Sequence, residues 1–330
     1  VGQAVDNLRP TTSYTPSPFG YLMNVPPTTT GNYLTVWKIT NPASTSPTIN
    51  YDHVPVVQFS TPPDPDQLGG GTPRVDGGGK AIRANIVYRD SMLYAVHSVA
   101  SGAGNKNSAV HYVRIDPTKS NTEEDVAFGL SGYFHTYPAI SVDKNKSVLV
   151  NFSRSNALEY VGAYATGRRV ADDPGLSSSV PLREGFANYI LTGGGTRNRW
   201  GDYNGTGVDP ADPGYVWFHT EHVAAKNTWG TWTSKVVMGP VPGAVLTADK
   251  SLLSFGTNII GVISPGDTLS VTFTDDGTDS VAISSVSTLT PNFKLVNPQV
   301  FTSKIGSLNS IVAKIAFIPL AGGNYTDSFV

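Results

Sequence analysis

The sequence predicts an all-β chain in two parts: a β-propeller over residues 33–240, open to being N-terminally incomplete, and an immunoglobulin-like β-sandwich over 241–330. Three observations lead there. No long stretch spaces its apolar residues at the helical period. Short strands recur in units of roughly 50 to 60 residues, within the range of propeller blades. From about Pro240 onward tryptophan disappears and Ser/Thr/Val/Ile alternation takes over.

The organising stretch is Arg199–Phe218, which reads as strand, tight turn, strand. Its turn carries Asp-Pro and Pro-Gly, which pre-set φ and supply positive φ. Tyr215–His222 is aromatic and β-branched, as a strand should be, and Trp229-Gly-Thr-Trp232 opens a third strand. Three antiparallel strands on short turns make most of a four-stranded blade.

Residues 1–32, rich in Thr, Ser and Pro, read as an extended N-terminal segment with one apolar island, Phe19–Met23. Asn32–Thr40 alternates as a strand, and Tyr51–Phe59 is another candidate. The Pro/Asp/Gly-rich loop Thr61–Gly79 is long for a compact domain, which points to a functional or metal-binding surface loop.

Three units follow, each an apolar strand, an Asp-bearing turn, a bulkier strand and a third strand. The first comprises Ala84–Val87, Arg89-Asp90, Met92–His97 and Ala109–Ile115; the second, Pro138–Val142, Asp143–Asn145, Val148–Phe152 and Tyr160–Tyr164. Gly205–Val208, Asp209–Gly214, Tyr215–Thr220 and Trp229–Lys235 form the third. Residues 34–42 align with 110–118, making them the third strand of a preceding unit. That count suits a ring of four with a partial first blade or a larger propeller lacking its N-terminal part. Val241–Val245 reads as a linker. Beyond it Ser251–Gly256, Asp267–Thr274, Ser280–Ser287, Phe293–Val296 and Ile311–Pro319 are strands, with turns at Pro265-Gly266, Asp276-Gly277 and Gly322-Gly323. Short strands at that spacing suit a sandwich.

Residues 193–222 with 227–232, and 137–155 with 159–168, resemble segments recurrent in secreted bacterial β-propeller proteins. The likeness covers about residues 30–238. It implies the fold and blades N-terminal to Val1, and it implies no reaction. Asp212-Pro-Gly-Tyr-Val-Trp217 is similar to the Asp-box turn of sialidases, although Pro210 stands where that turn has Ser or Thr. Such turns stabilise a hairpin at a blade edge. Residues 251–287 with 316–329 resemble the Hydin-type, or choice-of-anchor D, immunoglobulin-like module, which implies a spacer or presentation role near a bacterial surface.

Net charge is −2, so no nucleic-acid or anionic-membrane surface is expected, and no apolar run approaches a membrane span. With no cysteine, disulfides and thiol catalysis are excluded; bacterial export fits such a chain better than eukaryotic secretion. Val1 without Met reads as the start of a processed product or fragment. The six histidines lack zinc-site spacing, and no nucleophile elbow or phosphate loop occurs. The candidate ligand-binding cluster is Arg199, Trp200, Asp202 and Tyr203, where charge sits beside aromatic rings; the same groups serve equally to tie blades together. Arg83, Arg154 and Arg199 are the arginines a carboxylate site of sialidase type would use. Asp64, Asp66 and Asp76 are candidate Ca²⁺ ligands from an irregular loop. No catalytic residue is assigned. The expected function is a non-enzymatic, extracellular or cell-surface recognition or assembly scaffold with protein subunits or surface glycans as partners, including a homo-oligomer or filament. The alternative is a carbohydrate-active or peptidase-associated propeller.

Overall fold

A computed structural model describes residues 5, 7–170, 172–239, 243–262, 267–275, 277–287, 289–301, 304–307 and 309–328. Among the described residues the chain is all-β, with no α-helix. It divides into two compact units, Val1–Met238 and Gly239–Val330.

The first unit is built from successive antiparallel meanders. The first runs through β1 (Arg9–Ser13), β2 (Phe19–Asn24), β3 (Thr30–Thr40) and β4 (Thr48–Ser60). The second runs through β5 (Ile86–Arg89), β6 (Met92–Ser101), β7 (Asn107–Asp116) and β8 (Asn121–Phe128). Their first strands, β1 and β5, pair in parallel with Thr11 opposite Ile86, which fuses the two meanders into one eight-stranded sheet. Period-two alternation puts Leu34, Val36 and Val54 on one face, and the sheet folds over so that they pack against Leu93, Ala95, Val113 and Ile115. The edges then meet. Val57 N–H donates to Asp125 Oδ2 at 2.6 Å, Thr122 Oγ1–H to Pro55 O at 2.6 Å, and Ser120 Oγ–H to Asp52 Oδ2 at 2.9 Å. The result is a nearly closed, barrel-like sheet.

A third meander, β9 (Phe134–Val142), β10 (Val148–Asn156), β11 (Glu159–Arg168) and β12 (Val180–Arg183), makes a four-stranded sheet. Ile140, Val150, Phe152 and Tyr164 pack on the outer face of the second meander at Val87, Tyr94, Val110 and Tyr112. Its opposite face, at Leu149 and Ala165, meets Val216 and Phe218 of a fourth meander, the three-stranded sheet of β13 (Gly205–Val208), β14 (Val216–Ala225) and β15 (Thr228–Val236). Covered on both sides, β9 is buried at every position. Apolar runs without a polar face are what such a sandwiched strand requires.

Aspartates close the hairpins. Asp143 Oδ1 accepts from the N–H groups of Asn145 and Ser147, each at 2.8 Å. Asp116 Oδ1 accepts from Thr118 N–H at 2.9 Å. In the 209–214 turn Asp209 accepts from Ala211 N–H at 2.8 Å and Trp217 Nε1–H at 3.1 Å, while Asp212 Oδ1 accepts from Gly214 N–H at 3.1 Å. A short carboxylate bonding its own backbone two residues on is the reason these positions turn.

Three strands differ from the expectation. Arg9 onward in the N-terminal segment is not loose surface chain: β1 lies at the centre of the eight-stranded sheet. The edge strands β8 and β12 also have polar or mixed sequences, NTEEDVAF and VPLR, that carry little apolar alternation. The loop from Thr61 to Gly79 is tied to the body by backbone bonds. Gln67 Nε2–H donates to Tyr189 O at 2.6 Å, its Oε1 accepts from Tyr189 N–H at 2.9 Å, and Asp76 N–H donates to Asn198 O at 2.9 Å. With the 184–204 loop it encloses a small core of Val75, Tyr137, Val161, Tyr189, Trp200 and Val223. Gly78 has φ +70° there, and a Cβ would strike the Tyr137 ring, so no other residue fits.

A buried polar chain crosses the first core. His97 Nδ1 lies 2.9 Å from Lys80 O, His97 Nε2 lies 2.9 Å from His111 Nδ1, and His111 Nε2 lies 2.6 Å from Asp125 Oδ1. A carbonyl only accepts, so His97 carries its proton on Nδ1 and accepts at Nε2. His111 must then donate from Nδ1, and one further proton sits between its Nε2 and the carboxylate. Burial, then the neighbouring His111, pushes His97 well below the ordinary imidazole range.

The second unit contains one antiparallel sheet among its described residues, ordered β16 (Leu246–Ala248), β17 (Thr268–Asp275), β19 (Ser310–Phe317) and β18 (Phe293–Leu295). Val271, Phe301 and Ala313 form its core. Fully buried Asp275 orders the turn after β17, accepting from Gly277 N–H at 2.9 Å and Val281 N–H at 3.2 Å. The expected strands at Ser251–Gly256 and Ser280–Ser287 are irregular, apart from a bridge between Val281 and Ile305. Their alternating residues pack as loop rather than pair as ladder, so a second sheet is not present among the described residues. The turn at Pro265-Gly266 and residues 241 and 242 of the linker lie outside the described residues.

Candidate binding site

The first strands of the four meanders converge on a cavity of about 280 Å³. Arg9 and Thr12 come from β1, Asn85 and Val87 from β5 and the residue before it, Ile140 and Ser141 from β9, and Tyr203–Thr206 from the entry into β13. Parallel pairing of β1 with β5 fixes two of these walls. Tyr14 fixes another, since its hydroxyl accepts from Val208 N–H at 3.1 Å while Arg89 lies 4.9 Å over its ring.

Two arginines stand in the walls. Arg9 Nε–H donates to Ile82 O at 2.9 Å, and its guanidinium lies 5.1 Å over the Tyr203 ring. Arg83 Nε–H donates to Gly78 O at 3.2 Å, and its Nη1 is 3.9 Å from Asp202 Oδ1. Asp202 also meets Arg199 Nη2 at 3.4 Å. The Ser141 and Thr206 hydroxyls are buried without a hydrogen-bond partner, and Ser141 is only 1% exposed. Buried hydroxyls are ordinarily satisfied, so these two mark where something polar belongs.

Of the four residues singled out from the sequence, Tyr203 lines the cavity and Asp202 stands at its edge against Arg83. Arg199 lies on the exposed side of Asp202. Trp200 is placed elsewhere: it is 3% exposed, its Nε1–H donates to Ser153 Oγ at 3.2 Å, and its ring meets Tyr189 edge-on at 5.0 Å. It is a core group. Trp200→Ala is expected to lower unfolding free energy by about 3–5 kcal/mol, read from urea melts. A loss under 1 kcal/mol would contradict the packing.

Arg154 does not join Arg83 or Arg199. It forms a fork with Glu159 at 2.9 and 2.8 Å and stacks 3.7 Å over Tyr164. The three loop aspartates do not converge either. Asp64 Oδ1 accepts from Gly77 N–H at 2.9 Å, Asp66 Oδ1 accepts from Gln67 N–H at 2.9 Å, and Asp76 accepts from Gly78 N–H at 3.0 Å and pairs with Arg197. Backbone donors and arginine hold them singly, and among the described residues no three His, Cys, Asp or Glu side chains gather as a metal site.

Glu221 on β14 was not singled out. Burial pushes its carboxyl up to about 7, opposed by a 2.8 Å bond from Gly201 N–H and reinforced by Asp202. A Cβ at Gly201 would collide with that carboxylate, so glycine is what lets the backbone approach. Arg9, Ser141 and Thr206 carried one usable signal in the sequence: they belong to strands that begin a unit, and first strands share one wall. Glu221, on a second strand, carried none.

A second hollow of about 420 Å³, lined by Asp66, Arg74, Lys106 and Phe134 among others, is more open and is formed chiefly by loops. No helix among the described residues is long and apolar enough to cross a membrane. No protein-family model matches the chain, and no curated protein matches it.

Proposed function

We propose that residues 33–240, with β1 and β2 before them, are blades of a β-propeller in an extracellular or cell-surface recognition scaffold, and that its ligand sits where the first strands converge. The observation that carries this is the cavity itself, with Arg9 in its wall, Arg83 only loosely paired with Asp202, and two hydroxyls lacking any partner. Successive meanders stacked face to face, each starting at the same wall, support the blade reading. Residues 241–330 are then the immunoglobulin-like spacer, a role that asks nothing of catalytic groups.

Assembly is the second half of the proposal. On β3 and β4 the face away from the core carries Trp37 and Tyr51 with ring centres 4.9 Å apart, and Tyr33 and His53 at 4.3 Å. The outward face of the three-stranded sheet carries Trp217, 42% exposed. One face set on the other in a second copy of this chain is a heterologous contact, which closes into a ring or extends as a filament. Tyr51→Glu, at a ring 42% exposed, is expected to abolish concentration-dependent growth in light scattering, with the melting temperature unchanged within a few degrees. Wild-type protein that stays monomeric at high concentration would remove the assembly half.

One observation favours a carbohydrate-active reading instead. A glutamate held near neutrality beside Asp202 and the cavity suits a general acid. Turnover of any fluorogenic glycoside that Glu221→Gln reduces at least a hundredfold would establish it. Glycan binding without turnover supports the scaffold.

A further inference from the structure

The cavity's chemistry narrows its ligand. Its volume, about 280 Å³, is roughly that of nine waters and falls at the small end of ligand pockets. One ring-sized group fits; an extended oligomer would have to thread through with a single residue seated. The walls hold Arg9 and Arg83, and Asp202, shared between Arg83 and Arg199, offsets part of their charge. The positive charge that remains asks for an anion, and a carboxylate is planar enough to meet a guanidinium edge to edge. Arg83 is only 22% exposed, so its attraction for an anion is screened less than at an open surface.

The remaining groups ask for hydroxyls. Ser141 Oγ and Thr206 Oγ1 line the cavity with no partner, and each can both donate and accept. Asn85, whose Nδ2–H reaches Thr12 Oγ1 at a long 3.4 Å, adds an amide on the same side. Tyr203, 59% exposed, presents one ring face to Arg9 and forms the lip. A flat aromatic lip suits the C–H face of a sugar ring, and the unpaired hydroxyls suit its rim.

We infer that the cavity seats a sugar acid, a pyranose ring bearing one carboxylate, with Arg83 and Arg9 on the carboxylate and Ser141 and Thr206 on ring hydroxyls. This rests on the reading of the cavity as the ligand seat. It distinguishes an acidic polysaccharide from neutral glycans, which the arginines would leave unread.

Isothermal titration of the full chain with D-glucuronate and D-galacturonate, against D-glucose, D-galactose and acetate, tests it. At least one hexuronate should bind at least tenfold tighter than its neutral hexose and tighter than acetate, and weaken as salt rises. Arg83→Gln should remove most of that preference, Arg83→Lys should keep part of it, and Ser141→Ala should weaken acid and neutral sugar alike by a few fold. Near-UV circular dichroism checks that each variant is folded. A neutral hexose binding as tightly as its acid overturns the ligand class and leaves the seat standing, and so does acetate binding as tightly as either hexuronate. If no probe binds the folded protein, the seat and its ligand both fall.

Discussion

Asp125→Ala is expected to destabilise the first unit by about 1–3 kcal/mol, the cost of leaving a buried donor without its acceptor. The carboxylate does two things at once. Its Oδ1 holds the extra proton of the His97–His111 chain at 2.6 Å from His111 Nε2, and its Oδ2 accepts Val57 N–H from β4. Without it, His111 keeps a ring nitrogen facing no acceptor, 3% exposed, and the fold must shed that proton or bury a charge. His111→Phe alone should also cost several kcal/mol. The double variant should cost less than the two added together, with a coupling of about 1–3 kcal/mol. Urea denaturation of the four proteins measures it, and strict additivity would mean that the chain of contacts carries no energy of its own.

The second large effect is acid lability between pH 6.5 and 4. Burial holds His135 down at about 4, and burial lowers His97 and His222 as well. A depressed imidazole is neutral in the fold and charged in the unfolded chain at the same pH. Its contribution is therefore complete above the ordinary value near 6.5 and is lost as pH falls toward the folded value. For His135 alone the drop from 6.5 to about 4 corresponds to about 3 kcal/mol. Glu221 works in the opposite direction: raised to about 7 from 4.5, its contribution is complete below 4.5 and lost as pH rises through 7. Asp143, which burial also raises, works in the same direction as Glu221, and two carboxyls against three imidazoles leave a net loss on acidification. Urea midpoints at pH 7 and 4.5 should differ by more than 1 M for the wild type, with m near 2 kcal/mol/M. The gap should narrow in His135→Phe, whose ring fills the site between Phe128 and Phe152. A midpoint that rises on acidification would overturn the assignment.

Some of this was legible in the residues. β13, β14 and β15 announce themselves because aromatic alternation and an Asp-Pro-Gly turn agree, and the same agreement marks β9 with β10 and β5 with β6. The strands β1 and β8 were not, because RPTTS and NTEEDVAF are polar. Pairing partners, rather than their own side chains, make them strands. Trp200 beside Arg199 and Asp202 has the composition of a binding patch. Its burial depends on two loops meeting across more than a hundred residues of sequence, as the Gln67–Tyr189 bonds show. Ser141 and Thr206 look like any small polar strand residues, and nothing local says that their hydroxyls lack partners. In the second unit Ser/Thr-rich alternation overstated the strand content, because alternation shows which residues face inward but not whether a neighbour is available to pair.

One consequence follows from the way β4 and β8 clasp. Outermost strands in an open sheet invite another chain to add on. Here the donor of Val57 is occupied by a carboxylate, the carbonyl of Pro55 by a hydroxyl, and proline itself offers no N–H. A stray extended segment finds no register to copy along that rim. The eight-stranded sheet is thereby guarded against templated stacking at that rim, and anything that loosens the clasp, from Asp125→Ala to mild acid, should raise fibril formation before it abolishes the fold.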